Sequence, residues 1–390
     1  MDFSVTQAQD ELSALSRRIL ADKVTPGRLA EIEQAGDGFD AELWAALAGS
    51  GILAAALPEA AGGAGFGLAE QCTILIELGR ALAPVPYLPS IVLGAGAIAE
   101  FGAPAQITRW AEPAGAGRLI VTAALAEADG EDPAAPGTRA EPDGHGWLLT
   151  GTKTAVAGGV TAGLFLVPAA VGGGAAAGGA AAGSGAAVFA VERTDPGVAV
   201  RPQLLTGGAG AGELELAGVR LAADRLVGPP GGGAVARWLA DQATVGLCAR
   251  QLGVTERALE LTAEYARSRE QFGRPIGAFQ AVAQRLADAH IDVAGIALTM
   301  WQAAWRLQAG LPCRTEIATA KFWAADAGHR VAHTAVHVHG GVGIDTSYPL
   351  HRYFTAAKDN EFALGGATAQ LRRIGAELAG PRPAEPADRA

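Results

Sequence analysis

Residues 265 to 288 read YARSREQFGRPIGAFQAVAQRLAD, and this stretch decides the prediction of the fold. Gly273 and Pro275 end one helix, because neither residue continues helical backbone well. The next helix is predicted from Ala278 to Val293, since apolar residues recur there at offsets of three, four and seven. One buried face collects these apolar residues: Phe279, Val282, Leu286, Ala289 and Val293.

Three polar side chains stand near the predicted helix break, namely Arg269, Gln271 and Gln280. The planar guanidinium of an Arg donates two parallel hydrogen bonds to phosphate oxygens, which the point charge of a Lys does not do. Polar groups at a break between packed helices therefore indicate an edge that binds a nucleotide cofactor. The alternative interpretation of Arg269 is a solvent-exposed Arg at a helix end.

Composition sets the class of protein. The chain has 390 residues, of which 49% are hydrophobic, and this length supports a large core and two or three domains. A formal net charge of -10, without a clustered basic stripe, argues against a nucleic-acid partner. The three cysteines, Cys72, Cys248 and Cys313, are scattered, which is typical of reduced thiols in a cytoplasmic protein.

Targeting and membrane segments are not expected. Residues 1 to 20 are amphipathic and carry acidic residues early, unlike a signal or transit peptide. Apolar runs stay shorter than the ~20 residues that a membrane helix needs. We therefore expect a cytoplasmic protein.

The character of the sequence changes twice along the chain. Helical spacing predicts four early helices, at Gln7 to Leu20, Ala41 to Gly49, Leu68 to Ala83 and Ile91 to Phe101. Short apolar runs between turn residues then predict strands around residues 147–149, 164–167, 188–191 and 214–216. Long helical periods return from Ala234 and end near Leu378. We divide the chain at residues 1–118, 119–230 and 231–380, followed by a disordered Pro-rich tail, 381–390.

The segment from Ala169 to Ala187 consists almost wholly of Gly and Ala. Such a composition buries too little surface to offset the entropy of ordering it. We predict a flexible hairpin loop of low complexity here, in preference to a substrate lid.

Three segments carry a resemblance to a known family. The first is the R-x-Q-F-G-x-P-I-x-x-F-Q pattern from Arg269 to Gln280; the second is HVHGGVGIDTSYPLHRYFTAAK, His337 to Lys358; the third is LPEAAGGAGFGLAEQCTILIELGRALAP, Leu57 to Pro84. Together they span most of the chain and resemble the acyl-CoA dehydrogenase family. The resemblance implies an α+β multidomain fold with an N-terminal helical domain, a central β-barrel-like domain and a C-terminal four-helix bundle.

The resemblance also implies a cofactor, a reaction and partners. Members bind FAD noncovalently and desaturate an acyl thioester at the α,β bond, with hydride transfer to the flavin. The substrate would be an acyl-CoA or a carrier-protein thioester, and the electron acceptor an electron-transfer flavoprotein or similar protein. The assembly would be a homo- or hetero-oligomer. The residues that match the cofactor contacts are Arg269, Gln271, Phe272, Gln280, Gly340 and Gly341.

The family's catalytic base does not match an acid in this chain. The Glu of the common E-G-T triplet corresponds to Gly365, or to Leu364 if the alignment shifts by one, and the alternative seat on the first bundle helix corresponds to Ala243. Two nearby acids are weak substitutes. Glu361 would share a face with Gly365 on a continuing helix, whereas Asp241 lies two residues from Ala243 and so on another face. A solvated surface acid is the commoner state of a Glu.

Other family contacts have changed as well. The D-x-x-R pair becomes Asp241 and Thr244, and the Gln of the Q-x-H-G-G segment becomes His337. The flavin-side segments W-I-T and T-E-P-x-x-G-S become Ala155-Val156-Ala157 and residues 126–130, AEADG. These substitutions weaken the step from fold to reaction, since function lies in the site.

The histidines are interpreted as structural. His329, His333 and His337 recur at a spacing of four, yet no carboxylate or Cys completes a ligand set, so we predict no metal site. His339 beside Gly340 belongs to a turn in which Gly permits close approach of the backbone to a cofactor.

Two functions remain open. The chain is either an FAD-dependent dehydrogenase with an unrecognised base, or a pseudo-catalytic subunit that completes the FAD site of a Glu-bearing partner in a hetero-oligomer. The C-terminal interface segments are kept while residues at the reacting carbon are lost, which favours the second function. No residue favours a flavin oxidase or monooxygenase.

Overall fold

The computed structural model describes residues 5–130, 132–171, 185–229 and 233–380. The N-terminal region is helical. Its helices are α1 (Gln7–Lys23), α2 (Pro26–Ala35), α3 (Ala41–Gly49), α4 (Leu68–Ala81), α5 (Gly96–Phe101), α6 (Pro104–Gln106) and α7 (Glu112–Gly115), with π-helical turns at Tyr87–Ala95 and Ile107–Ala111. Several of these helices have an N-cap residue whose side chain accepts a hydrogen bond from the first turn. The Asp40 carboxylate accepts from the backbone N–H groups of Glu42 and Leu43, which would otherwise lack partners at the start of α3.

The central region is one eight-stranded sheet. Its strands are β1 (Val121–Ala123), β2 (Arg139–Asp143), β3 (Gly146–Val156), β4 (Leu164–Val171), β5 (Gly185–Glu192), β6 (Val198–Leu205), β7 (Gly208–Ala222) and β8 (Leu226–Val227). The hydrogen-bonded order is β6-β7-β3-β2-β4-β5-β8, and β1 pairs in parallel with β4. Both faces of β4 and β5 are largely buried, which explains why these two strands read as continuous apolar runs.

Five long helices form the C-terminal region. They are α8 (Ala234–Ser268), α9 (Gln280–Gln308), α10 (Arg314–His339), α11 (Leu350–Phe362) and α12 (Ala367–Ala379), with a short hairpin of β9 (Glu270–Gln271) and β10 (Arg274–Pro275) between α8 and α9. Helices α4 and α8 cross with their backbones in contact. A Cβ added at Gly253 would lie 2.0 Å from the Ile76 carbonyl oxygen, and one at Gly79 would lie 2.2 Å from that of Arg250. These two glycines therefore let the N- and C-terminal helices pack at very short range.

The predicted α+β architecture is confirmed, with shifted boundaries. Helix α4 ends at Ala81, before the expected Ala83, because Leu82 takes a left-handed backbone with φ of 53°. The helix predicted to stop at Val293 runs on to Gln308, and the residues of its predicted face grade from half-buried Phe279 to buried Ala289. The three-part division of the chain stays a prediction.

Two predicted segments fall wholly or partly beyond the described residues. The tail at 381–390 lies outside them. The loop predicted from Ala169 to Ala187 was too wide, since β4 continues to Val171 and β5 begins at Gly185, and residues 172–184 lie outside the described part. Within the described ranges, no helix is long and apolar enough to cross a membrane.

Candidate functional site

The hairpin after α8 holds a strained aromatic residue at its tip. Gln271 pairs with Arg274 across a two-residue turn, and both turn residues are left-handed, with φ of 54° at Phe272 and 76° at Gly273. This turn type favours Asn or Gly, so a Phe at its first position costs free energy. Phe272 is also 93% exposed. Strain of this kind persists mainly where a residue has a function beyond packing within its own chain.

The last turn of α8, which leads into the hairpin, contacts the His-Gly-Gly segment. The ring of Tyr265, in the last turn of α8, stacks on the ring of His339 with centroids 4.3 Å apart. Gly340 follows directly, with φ of 63°, and a Cβ added at Gly340 or Gly341 meets nothing within 4 Å in this chain. The fold therefore brings together two segments that lie about 70 residues apart in sequence.

His339 packs in the core and holds this junction together. The ring is buried, its Nδ1 lies 2.8 Å from the Ala335 carbonyl oxygen, and its Nε2 lies 3.3 Å from the Tyr348 hydroxyl. Burial lowers the pKa of His339, so the neutral ring is favoured. Tyr265 and Tyr348 were not singled out from the sequence, because nothing in their spacing signals a contact with His339.

The donors at this edge suit a dinucleotide. Arg269 and Gln280 are exposed, and in the described part of the chain their side chains make no hydrogen bond or ion pair. The amide nitrogen of Gln271 reaches only the Glu270 carbonyl oxygen, at 2.8 Å. Free guanidinium and amide donors, together with an open Gly-Gly backbone, match the needs of a pyrophosphate. The residues present therefore fit FAD.

Neither of the two positions that correspond to the family's catalytic base has a carboxylate in this chain. Gly365 lies in the turn between α11 and α12 with φ of 89°, and a Cβ there would lie 3.0 Å from the Ala369 Cβ. Ala243 is buried on α8. The Gln370 amide donates to the carbonyl oxygens of Leu364 and Gly365, at 3.0 and 2.9 Å. These two hydrogen bonds stabilise the turn, which carries no catalytic carboxylate.

Glu361 does not share a helical face with Gly365, because α11 ends at Phe362. The expected continuing helix is therefore absent. The Glu361 carboxylate instead accepts a 2.6 Å hydrogen bond from Lys358 and lies 3.2 Å from the His329 Nδ1. These contacts make Glu361 part of a largely buried ion cluster.

Asp241 faces a group of basic residues. Burial raises the pKa of Asp241 to about 6, against the opposing effect of Arg314, Arg237 and Arg373. Its charge in turn helps to raise the pKa of Cys313, just before α10, although burial of the thiol has the larger effect. Since residues two apart on a helix differ by about 200° in direction, Asp241 and Ala243 point to different sides of α8.

A buried ion pair joins the two segments, at residues 126–130 and next to residues 155–157, that differ from the family's flavin contacts. The fully buried Lys153 ammonium lies 2.6 Å from the Glu127 Oε1, which also accepts from the Thr138 hydroxyl. Burial alone raises the pKa of Glu127, but the hydrogen bonds from Lys153 and Thr138 bring it down to about 2. Burial lowers the pKa of Lys153, and its hydrogen bond to Glu127 opposes that shift, so each group favours the charged form of the other. A separation of 26 residues gives no sequence signal for this contact.

A second buried Lys supports the α11–α12 turn. Lys321 is fully buried, and its ammonium donates to the carbonyl oxygens of Asn360 and Glu361, at 3.1 and 3.0 Å. Burial lowers the pKa of Lys321 to about 8. The charge sits at the C-terminal end of α11, where a cation stabilises the last carbonyl groups. A lone Lys within an Ala-rich helix gave no indication of this role.

Two family models match most of the chain. The acyl-CoA dehydrogenase N-terminal domain matches residues 6–118, and the acyl-CoA dehydrogenase C-terminal domain matches residues 231–379. The match to the second model covers the hairpin, the His-Gly-Gly turn and the empty base seats.

Relatives and solved structures agree with these models. Acyl-CoA dehydrogenase FadE27 of Mycobacterium tuberculosis is 52% identical over 387 residues, covering 97% of this chain and 99% of the relative. A chain of the ChsE4-ChsE5 complex from the same species is 51% identical with a TM-score of 0.91, covering 98% of this chain and all of that one. A variant of the Tcur3481-Tcur3483 steroid ACAD is 41% identical with a TM-score of 0.88, covering 95% and 97%.

Proposed function

Since the chain belongs to the FAD-dependent acyl-CoA dehydrogenase family, we propose that it is the subunit that completes the FAD site of a related, Glu-bearing chain in a hetero-oligomer. The assembly desaturates an acyl thioester, either an acyl-CoA or a carrier-protein thioester. The base comes from the related chain. The alternative is a homo-oligomer of this chain with an unconventional base.

The main observation in support of this proposal is the exposed tip of the β9–β10 hairpin. Phe272 holds a strained left-handed backbone at the tip and exposes nearly its whole ring, although burying an aromatic side chain is strongly favourable. Arg269 and Gln280 leave their donors open beside it. Such an edge gains its stabilisation only when another surface and a ligand cover it.

The missing carboxylates at the two base positions also support a base that comes from the related chain. Gly365 and Ala243 lack carboxylates, while Glu361 is bound by Lys358 and His329 and Asp241 faces three arginines. A group that removes a proton must lie within hydrogen-bond reach of it. In this chain the Glu361 carboxylate is already paired with Lys358 and His329, and Asp241 points to a different side of α8 from Ala243.

Each remaining residue has a part at the shared site. Arg269 would hold the pyrophosphate through its planar fork, Gln271 and Gln280 would donate to polar groups of the nucleotide, and Phe272 would cover the cofactor edge. Gly340 and Gly341 would let the backbone approach without a Cβ between. FAD supplies the hydride acceptor when bound.

The related structures and the composition support the wider setting. One similar chain was solved in the ChsE4-ChsE5 complex, so a chain similar to this one occurs with a second chain. Another belongs to the Tcur3481-Tcur3483 steroid ACAD. An electron-transfer flavoprotein or similar protein would accept the electrons. Cys72, Cys248 and Cys313 are all free thiols, which supports a cytoplasmic location.

The test is the ratio of FAD to chain in the purified protein, measured from the visible flavin band against total protein. We expect a ratio near zero for the chain alone and a full site when it is co-purified with a family member that carries the E-G-T glutamate. The far-ultraviolet circular dichroism of the chain alone serves as the control for folding.

A ratio near one in the chain alone would refute the proposal and favour the homo-oligomer. Turnover of an acyl thioester by that flavin-loaded chain would then establish an unconventional base. Asp241→Asn and Glu361→Gln variants would show which acid provides it.

A further inference from the structure

Tyr265 contacts both of the segments that carry the proposed FAD contacts. Its ring stacks on the ring of His339, with centroids 4.3 Å apart and planes inclined by 23°. Its backbone carbonyl oxygen accepts a 2.8 Å hydrogen bond from the Arg269 N–H group. His339 directly precedes Gly340, and Arg269 directly precedes the β9–β10 hairpin. One residue therefore connects two segments that lie far apart in sequence.

Arg269 is held at the point where the chain leaves helix α8. It is the C-cap residue, and its backbone is extended, with φ of -77° and ψ of 119°. Its N–H group donates to Tyr265, and its carbonyl oxygen accepts a 2.8 Å hydrogen bond from the Ile276 N–H group, which closes the base of the hairpin. A shift of Tyr265 would therefore move the backbone from which the Arg269 guanidinium projects.

His339 is held in one orientation on the other side of the stack. Its Nδ1 lies 2.8 Å from the Ala335 carbonyl oxygen, which can only accept, so Nδ1 carries the proton. The unprotonated Nε2 then accepts from the Tyr348 hydroxyl, at 3.3 Å. These contacts and the stack on Tyr265 fix the last residue of α10, immediately before Gly340.

The ring of Tyr265, and not its hydroxyl, makes the contact with His339. The residue is half-buried, and its hydroxyl forms no hydrogen bond within the part of the chain that the structure describes. Stacked aromatic rings attract one another beyond the effect of the area that they bury. A Phe at this position would keep the stack, whereas a Leu would remove it.

We propose that Tyr265 is a positioning residue for FAD: its ring, stacked on His339, holds the β9–β10 hairpin and the Gly340-Gly341 turn at the spacing that the cofactor needs. This inference rests on the proposed function, since both segments are assigned there to the shared FAD site. Tyr265 acts through Arg269 and Gly340, which carry the contacts. A site that is held in its binding geometry beforehand loses less freedom when the ligand binds, and so binds it more tightly.

The first test is the dissociation constant for FAD of the assembly with the related chain, measured by flavin fluorescence during titration. Tyr265→Leu should weaken FAD binding roughly 3- to 10-fold, because the stack is lost. Tyr265→Phe keeps the stack and should stay within about twofold of the wild type. Phe354→Leu is the matched control. The half-buried Phe354 ring also contacts a histidine, His333, with centroids 5.2 Å apart, but outside the two cofactor segments, so its loss should leave FAD binding unchanged.

A measurement on the chain without flavin reports on the stack itself. In ¹⁵N NMR spectra of the histidine rings, His339 should show a protonated Nδ1 in the wild type and in Tyr265→Phe, and a mixture of the two tautomers in Tyr265→Leu. A disturbed His339 ring in Tyr265→Leu together with unchanged FAD binding would overturn the inference. Equal weakening of FAD binding by Tyr265→Phe and Tyr265→Leu would also overturn it, because the effect would then belong to the hydroxyl.

Tyr348→Phe provides the test if Tyr265→Leu does not fold, as judged by far-ultraviolet circular dichroism. It disturbs His339 from the other side, since it removes the donor to Nε2. FAD binding should weaken, and unchanged binding would contradict the proposed role of the stack.

Combining Tyr265→Leu with Arg269→Ala tests whether Tyr265 acts through Arg269. The loss of affinity in the double variant should be smaller than the product of the two single losses, and a loss equal to that product would overturn the inference. A wild-type chain that binds FAD alone would refute the proposed function but not this inference. The same order, with Tyr265→Leu weaker than Tyr265→Phe, would then hold on the chain alone.

Discussion

Arg269 is the residue on which the cofactor assignment depends most. Its guanidinium has no hydrogen-bond or ion-pair partner in the described chain, so its removal leaves no internal group unsatisfied. Charge-assisted hydrogen bonds contribute about 1.5 to 3 kcal/mol each. We expect Arg269→Ala to weaken FAD binding by the assembly with the related chain by roughly 10- to 100-fold, as measured by flavin fluorescence during titration.

Arg267→Ala provides the control for charge. Arg267 is exposed in the last turn of α8, two residues before Arg269, and thus on a different side of the helix. Its removal should leave FAD binding within about twofold of the wild type, since an exposed charge that makes no hydrogen bond to the cofactor contributes little in salt. Equal binding by Arg269→Ala and the wild type would remove Arg269 from the site.

Single residues also show what a sequence pattern leaves open. The glycines at residues 340, 341 and 365 were recognised from their place in segments of known type, but the left-handed backbone of Phe272 was not, because φ depends on the fold around it. The backbone conformation of Gly365 likewise limits which residues can replace it. A glutamate introduced there would have to adopt φ of 89°, at a cost of about 1 to 2 kcal/mol, so Gly365→Glu is a strained way to restore the base.

At the scale of elements, Asp241 on α8 lies near Arg314 at the start of α10, and its ionisation makes the stability of the fold depend on pH. The pKa of Asp241 rises from 3.8 in the unfolded chain to about 6, mainly through burial. Between these values the folded chain holds a proton that the unfolded chain has lost, so stability falls as the pH rises from about 4 to 6. We expect Asp241→Asn to raise the free energy of unfolding at pH 7 by roughly 1 to 3 kcal/mol.

The pH profile distinguishes this effect from ordinary repacking. Urea unfolding of the wild type and of Asp241→Asn should give stabilities that converge at or below pH 4 and separate progressively up to about pH 6. Asp288→Asn, at an exposed position of α9, should follow the wild type throughout. A difference that is independent of pH would mean that ionisation of Asp241 is not its cause.

Periodicity predicted the type and order of the elements well, and their ends less well. The predicted end of α9 at Val293 precedes Gly295, a residue that often interrupts helices. In the structure the helix continues, because Gly295 packs under the ring of Trp323, where an added Cβ would lie 2.7 Å from the ring. Tertiary packing thus outweighs local propensity, and only the fold reveals which contact is made.

At the scale of the whole molecule, the backbone contact between α4 and α8 at Gly79 and Gly253 joins the N-terminal helices to the C-terminal bundle. The hairpin tip at Phe272 lies in the C-terminal region and is exposed. This edge is the surface at which we propose that FAD is shared with a related chain. An exposed aromatic side chain at such an edge is typical of a surface that an interaction covers.

Linkage between FAD and stability gives the final prediction. A ligand that binds only the native state stabilises it by RT ln(1 + [L]/Kd), which is about 2.7 kcal/mol at a hundredfold excess over Kd. If the site needs both chains, added FAD should raise the melting temperature of the mixed assembly, followed by differential scanning calorimetry, and leave that of the isolated chain unchanged. The Arg269→Ala assembly should require a higher FAD concentration for the same shift. A shift in the isolated chain as large as in the assembly would mean that this chain builds the site without a partner.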